Sequence, residues 1–113
     1  MKKRRVSYDT VRRVGLTLPD VIESTSYGTP ALKVKGNLFV RLHQDLDKFV
    51  LKTTFERREE MMAADPETYF ITDHYREYPW VLVSLEHVAE EALLDLLRIA
   101  HREASATKKR SAR

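Results

Sequence analysis

The sequence predicts a single α+β domain, an antiparallel, meandering sheet of about five to six strands with helices packed on one face. Two observations predict the elements: apolar residues recur at helical spacing near both ends, and the long stretch between them changes to a period of two. A third predicts their arrangement: the order helix, several strands, helix, two strands, helix is that of a sheet covered on one side. The chain has 113 residues, room for one modest core, since domains commonly hold about 100 to 150 residues.

Val11, Val14 and Leu18 follow the caps Ser7 and Asp9 and stop at Pro19, which predicts a first helix over 8–18. Short runs of β-formers then predict strands over 21–27, 31–35, 38–42 and 48–53. Thr53 with Glu56 reads as a capping box, Phe55 and Met62 fall on one helical face, and Pro66 follows the end of this second helix. Two more strands, 69–72 and 80–85, flank a polar aromatic loop over 73–79. The last helix, 88–103, aligns Ala89, Ala92, Leu93, Leu96 and Ala100, with Glu90 and Glu91 early and Arg98, His101 and Arg102 late, as the helix dipole favours. Its Leu93 and Leu96 are expected against Leu32, Val34, Val40 and Leu51. Residues 105–113 are small or basic and are expected to be disordered, so the folded body is 6–104 and 1–5 and 105–113 are basic tails.

Two rules conflict at Lys35-Gly36-Asn37-Leu38. A two-residue Gly-Asn turn would set Lys33 and Lys35 on the face of Leu38, Val40 and Leu42. A three-residue loop instead groups Leu32, Val34, Leu38, Val40 and Leu42 inside, and Lys33, Lys35, Phe39 and Arg41 outside. Because a slip of one residue reverses every side chain, the core pattern decides for the second arrangement. In the next strand Phe49 and Leu51 go inward, leaving Lys48, Val50 and Lys52 outward.

Net charge is +3, but it is unevenly distributed. Lys2, Lys3, Arg4, Arg5, Lys108, Lys109, Arg110 and Arg113 account for +8, and the body sets twelve bases against seventeen acids, a net of −5. Within it, 31–58 carries seven bases against Asp45, Asp47 and Glu56, a local +4. The outward set Lys33, Lys35, Phe39, Arg41, Lys48 and Lys52 is therefore a candidate nucleic-acid face, five bases to hold phosphates and a ring to stack a base. The plain alternative is that lysines keep an exposed sheet face soluble.

There is no cysteine, so disulfides and thiolate metal sites are excluded and a cytoplasmic location is expected. No apolar run approaches the roughly 20 residues that span a bilayer, and the basic start lacks the apolar stretch of a signal peptide. The expectation is a monomer off the membrane, with any partner protein unknown.

Catalytic signals are thin. No serine sits in a Gly-x-Ser-x-Gly elbow, and Gly15, Gly28 and Gly36 are too scattered to cradle a phosphate. His87 and His101, on one helix, would stand about 21 Å apart and cannot share a metal. The Asp73-His74 pair suits an exposed loop better than acid–base chemistry. The expectation is a non-enzyme with no cofactor and no metal. Two aromatic segments remain. Tyr27, His74, Tyr75, Tyr78 and Trp80 are candidate residues of a ligand pocket, although rings covering the edge of a small core would give the same pattern.

Those segments carry a likeness. Ser26-Tyr27-Gly28-Thr29-Pro30-Ala31 followed by Lys33-Val34-Lys35-Gly36, then Ala64-Asp65-Pro66-Glu67, then Thr72-Asp73-His74-Tyr75 and Tyr78-Pro79-Trp80-Val81, resembles the MmcQ/YjbR family over nearly all of 11–104. The resemblance implies a fold likened to frataxin-type and secretion-chaperone-type domains, with hairpin wings from which DNA binding has been proposed. The pattern departs at Glu77, where glycine is frequent. Iron binding of the frataxin kind is not expected, because the first helix holds Arg12 and Arg13 with Asp9 as its one acid. The functional expectation is a nonspecific DNA-binding or regulatory accessory domain using the basic hairpin face. The alternative is a non-catalytic protein- or small-ligand-binding module acting through His74 to Trp80.

Overall fold

The computed structural model describes residues 6–107. They form α1 (Tyr8–Gly15), β1 (Val21–Ser26), β2 (Thr29–Val34), β3 (Asn37–Leu42), β4 (Lys48–Lys52), α2 (Phe55–Ala64), β5 (Tyr69–Phe70), β6 (Trp80–Ser84) and α3 (Leu93–Ala106). The six strands make one sheet in the order β1-β2-β3-β4-β6-β5, and every pairing is antiparallel. The first four strands meander as expected. The last two do not continue in order: β6 pairs with β4, and the two-residue β5 is left at the edge.

The main core lies between the sheet and the helices. Val11 of α1 and Leu93, Leu96, Leu97 and Ala100 of α3 close over Leu32, Val34, Val40, Phe49, Leu51, Val81 and Val83. α2 adds Met61 to this core from the same side. The opposite sheet face is not left bare. Val50 and Leu82 are covered there by Tyr75, with Phe70, Ile71 and Trp80 beside them, so the segment after β5 folds back over the sheet.

Several helix ends differ from expectation. Ser7 caps α1, accepting from the Thr10 amide at 3.3 Å, but the helix closes at Gly15, and Leu16 and Leu18 pack on the core from the following turn. α2 is capped by Thr54 instead of Thr53: its hydroxyl accepts from the Arg57 amide at 3.1 Å, while Thr53 is buried at the end of β4. α3 begins at Leu93, after a single 3-10 turn over Glu90–Ala92, so His87 precedes the helix that carries His101. α3 also runs on through Ser105 and Ala106, which were expected to be disordered. Asn37 supports this end, its Nδ2 donating to the carbonyls of Ala104 (2.9 Å) and Thr107 (3.0 Å). The remaining tail residues, 1–5 and 108–113, lie outside the described residues.

The conflict at the β2–β3 turn is resolved by a bulge. Val34 pairs with Asn37, so the loop is the two residues Lys35 and Gly36, both with positive φ (54° and 80°). Lys33 then pairs with Leu38, and the register shifts by one before Leu32 meets Val40. Phe39 is the extra residue. A bulge sets two consecutive side chains on one face, so Phe39 and Val40 both enter the core and Leu38 turns outward, where it lines a surface hollow. The turn is two residues long but lies one residue earlier than the Gly-Asn pair, with Asn37 already in β3, and the core still closes.

Candidate functional site

The outer face of β3 and β4 is the floor of a groove. Arg41 is opposite Ala31 on one side and Val50 on the other, which makes it an outward residue of a central strand. It is only 4% exposed. Tyr27 reaches it from the tip of the β1–β2 hairpin, where Tyr27 and Gly28 form the two-residue turn with φ of 54° and 79°. The Tyr27 ring is 75% exposed, and its centre lies 4.8 Å from the Arg41 guanidinium carbon. From the other side a 3-10 turn over Asp73–Tyr75 brings the Tyr75 hydroxyl to the guanidinium, Nη2 donating to it at 3.0 Å. Nη1 donates to Gln44 Oε1 (3.3 Å), the Leu42 carbonyl (3.2 Å) and Thr29 Oγ1 (3.5 Å).

Two adjoining hollows flank this centre and share Tyr27, Arg41, His74 and Tyr75. One, of about 330 Å³, is completed by Leu38, Val50, Tyr78 and Trp80. The other, of about 430 Å³, extends over His43, Gln44, Asp45 and Thr72. His74 stands edge-on to Tyr75 at 4.8 Å between ring centres. All five aromatic-segment candidates, Tyr27, His74, Tyr75, Tyr78 and Trp80, therefore meet at one place, although 46 residues separate Tyr27 from the 3-10 turn at Asp73.

The loop that supplies them is held from behind by Arg58, which is 4% exposed. Its Nη1 donates to the carbonyls of Tyr75 (2.9 Å), Tyr78 (2.7 Å) and Trp80 (3.2 Å), and its Nη2 donates to that of Arg76 (3.0 Å). Four carbonyls of the loop and of its junction with β6 converge on one fork of donors, which fixes the loop's path; those of Tyr75 and Tyr78 also accept the Tyr78 and Trp80 amides. Glu77 fits here because positive φ occurs among the described non-glycine residues at Asp20, Tyr27, Lys35 and Leu46 only. Sequence reasoning missed Arg58 and Leu38. Arg58 sits in a charged run of α2 with nothing to mark it as buried. Leu38 turns outward because the turn falls at Lys35-Gly36 and a bulge follows at Phe39, a combination that neither the Gly-Asn turn nor the three-residue loop contained.

The basic hairpin face does not assemble as expected. Phe39 is 0% exposed inside the core, and Arg41 is buried beneath Tyr27. Lys48 is half-buried and paired with Asp47 (2.6 Å) and Asp45 (3.1 Å). Burial works against its charge, but those hydrogen bonds outweigh it and hold its pKa above the ordinary value. Lys33 stays outward, Lys35 is exposed in its turn, and Lys52 lies over the Trp80 ring, Nζ 5.2 Å from its centre. Of the six residues, three remain as accessible cations. Among the described residues no group of three or more His, Asp or Glu could hold a metal ion, and no helix is long and apolar enough to cross a membrane.

An antiparallel sheet with helices on one side and an aromatic groove on the other defines a small α+β domain with one built face. The YjbR family model matches residues 16–103, and the chain belongs to that family. It is also similar to the crystal structure of Deinococcus radiodurans protein DR2400, which carries the domain DUF419. That match has a TM-score of 0.76 and 27% sequence identity, covering 94% of this chain and 83% of the other. No curated protein matches the chain.

Proposed function

We propose that the protein is a non-catalytic binding module whose ligand lies in the groove between Tyr27 and the 73–80 segment. The convergence of four aromatic side chains and a histidine on one buried arginine carries this reading. Rings that only sealed the core edge would pack flat against it, whereas Tyr27 and Tyr78 are more than half exposed. Binding sites are concave, mostly apolar and set with a few convergent polar groups, and a cavity of about 330 Å³ falls in their size range. Trp80 is the single tryptophan and lines the groove, so its fluorescence reports occupancy. Titration of the full chain with small aromatic compounds should quench or shift that emission, and Tyr27→Ala should weaken the effect about tenfold. Saturable binding unchanged by Tyr27→Ala and Tyr78→Ala would place the ligand elsewhere.

Nucleic-acid binding is the second reading, supported by Lys33 opposite the groove residue Leu38 and Lys52 against Trp80, a pairing of cations and rings suited to single strands. In it Lys33, Lys35 and Lys52 hold phosphates. Affinity should then fall steeply with salt, and replacing all three by alanine in the full chain should reduce the salt slope, by about 0.7 per lost contact on a single strand. A slope unchanged in the triple variant would assign the affinity to the basic ends.

A further inference from the structure

We infer that the groove selects a planar ligand bearing a negative charge, with Arg41 as its counter-charge; the inference rests on the groove being the binding site. Arg41 is buried, yet every partner it has is neutral: two hydroxyls, an amide oxygen, a backbone carbonyl and the Tyr27 ring. No carboxylate pairs with it among the described residues, whereas Arg12, Arg13 and Arg76 each pair with an acid. Of the three acids at the groove, Asp45, which lines the second hollow, is engaged by Lys48, Asp73 is engaged by Arg76, and Glu77 beside Tyr78 is exposed. A guanidinium withdrawn from water without a counter-charge is costly to the fold.

Arg58 shows what a purely structural solution to that cost looks like. It is equally buried, but four loop carbonyls surround it and it lines neither hollow. Arg41 differs in both respects. It borders both hollows, and two of its partners are displaceable: Gln44 is an exposed side chain, and Tyr27 is a ring at a hairpin tip. Tyr75 adds a matching donor. Its oxygen accepts from Arg41, which leaves its hydroxyl proton to donate to an anion. The rings of Tyr27, Tyr78 and Trp80 then offer faces and edges for a flat group, so a carboxylate or phosphate attached to an aromatic ring meets both demands.

The test uses the full-length protein and matched probes that share a ring and differ in charge. These are 4-hydroxybenzoate against 4-hydroxybenzamide, and adenosine monophosphate against adenosine, which separates a carboxylate source from a phosphate source. Binding is read by Trp80 fluorescence and by the shift of the Arg41 Nε–H resonance in ¹⁵N spectra. At least one anion should bind about tenfold or more tightly than its neutral partner, with the Arg41 resonance shifting. Arg41→Gln should abolish the preference; if that variant fails to fold, the comparison in the native protein decides alone. Equal affinity of both members of each pair would overturn the inference and leave the groove reading standing. No binding by any of the four at millimolar concentration, with no perturbation of Trp80, would overturn both.

Discussion

The Phe39 ring stands edge-on to His101, the two ring centres 5.6 Å apart and their planes at 82°. Through this contact the bulge of β3 locks onto α3, and His101 also bonds the Pro19 carbonyl at 2.7 Å. Phe39→Ala should therefore cost about 3–5 kcal/mol, the range for a large aromatic side chain removed from a core. Urea unfolding measures it. A cost under about 1 kcal/mol would fit an exposed ring and contradict the bulge.

The same residue shows how far the sequence could be read. Periodicity and turn signals found all six strands and all three helices, because each rule acts over a few neighbouring residues. They also found the inward set Leu32, Val34, Val40, Phe49 and Leu51. The bulge is a compromise between two such rules, and neither one alone announces it. Extended backbone carries Arg41 outward as the alternation required, but its burial depends on Tyr27 and Tyr75, which approach from other parts of the chain. The aromatic residues of the groove were legible as two clusters. That they meet follows from β6 inserting beside β4, a matter of topology that local pattern does not encode.

Arg58→Ala should loosen the aromatic loop before it unfolds the domain. Each carbonyl it serves loses a charge-assisted donor; those of Tyr75 and Tyr78 keep the Tyr78 and Trp80 amides, but a buried acceptor left without a partner costs about 1–3 kcal/mol. Water can reach some of them in a loosened loop, so a loss of about 2–4 kcal/mol is expected, with a red shift of Trp80 emission under native conditions. Arg58→Lys should recover little, since one ammonium cannot span carbonyls contributed by Tyr75, Arg76, Tyr78 and Trp80. Full recovery by lysine would show that charge matters here more than geometry.

Gly15 ends α1 where Leu32 of β2 occupies the space a Cβ would need. The colliding atom is the tip of a leucine side chain, but that leucine is 1% exposed and has little room to turn. Gly15→Ala should destabilise by about 1–3 kcal/mol through overpacking, despite alanine's better helix propensity. Pairing it with Leu32→Val or Leu32→Ala should give less than the sum of the separate losses. Strict additivity would rule out the clash.

Leu46 has a φ of 68° and is 61% exposed, in the β3–β4 connection. A leucine in the left-handed region bears roughly 1–2 kcal/mol of steric strain and here has little burial to offset it. Leu46→Gly should relieve most of that strain, less what the glycine loses in unfolded-state entropy, and Leu46→Asn should do so without the entropic loss. Both should raise the melting temperature, with asparagine the larger gain. A lower melting temperature for both would mean that Leu46 makes a stabilising contact in solution.

His43 sets the direction of the acid response. Burial chiefly, and then the charge of Lys48, hold its pKa below the ordinary 6.5. The ring is neutral in the folded protein, its Nδ1 accepting the Asp45 amide proton at 3.0 Å, so its 3.6 Å approach to the Asp45 carboxylate is not an ion pair at neutral pH. Below pH 6.5 the unfolded chain takes up a proton that the folded one resists, and stability must fall as pH drops through that window. A second loss belongs lower. Asp47, held down mainly by its hydrogen bond from Lys48, and Asp9, held down mainly by its hydrogen bond from Arg12, lie below their ordinary 3.8. They contribute above that value and are lost as pH falls through their lowered ones. Melting temperatures should thus decline in two stages on acidification. His43→Asn, whose side-chain oxygen can still accept the Asp45 amide, should flatten the first stage and leave the second. If native protein and variant decline in parallel between about pH 7 and pH 5, the first stage belongs to another group.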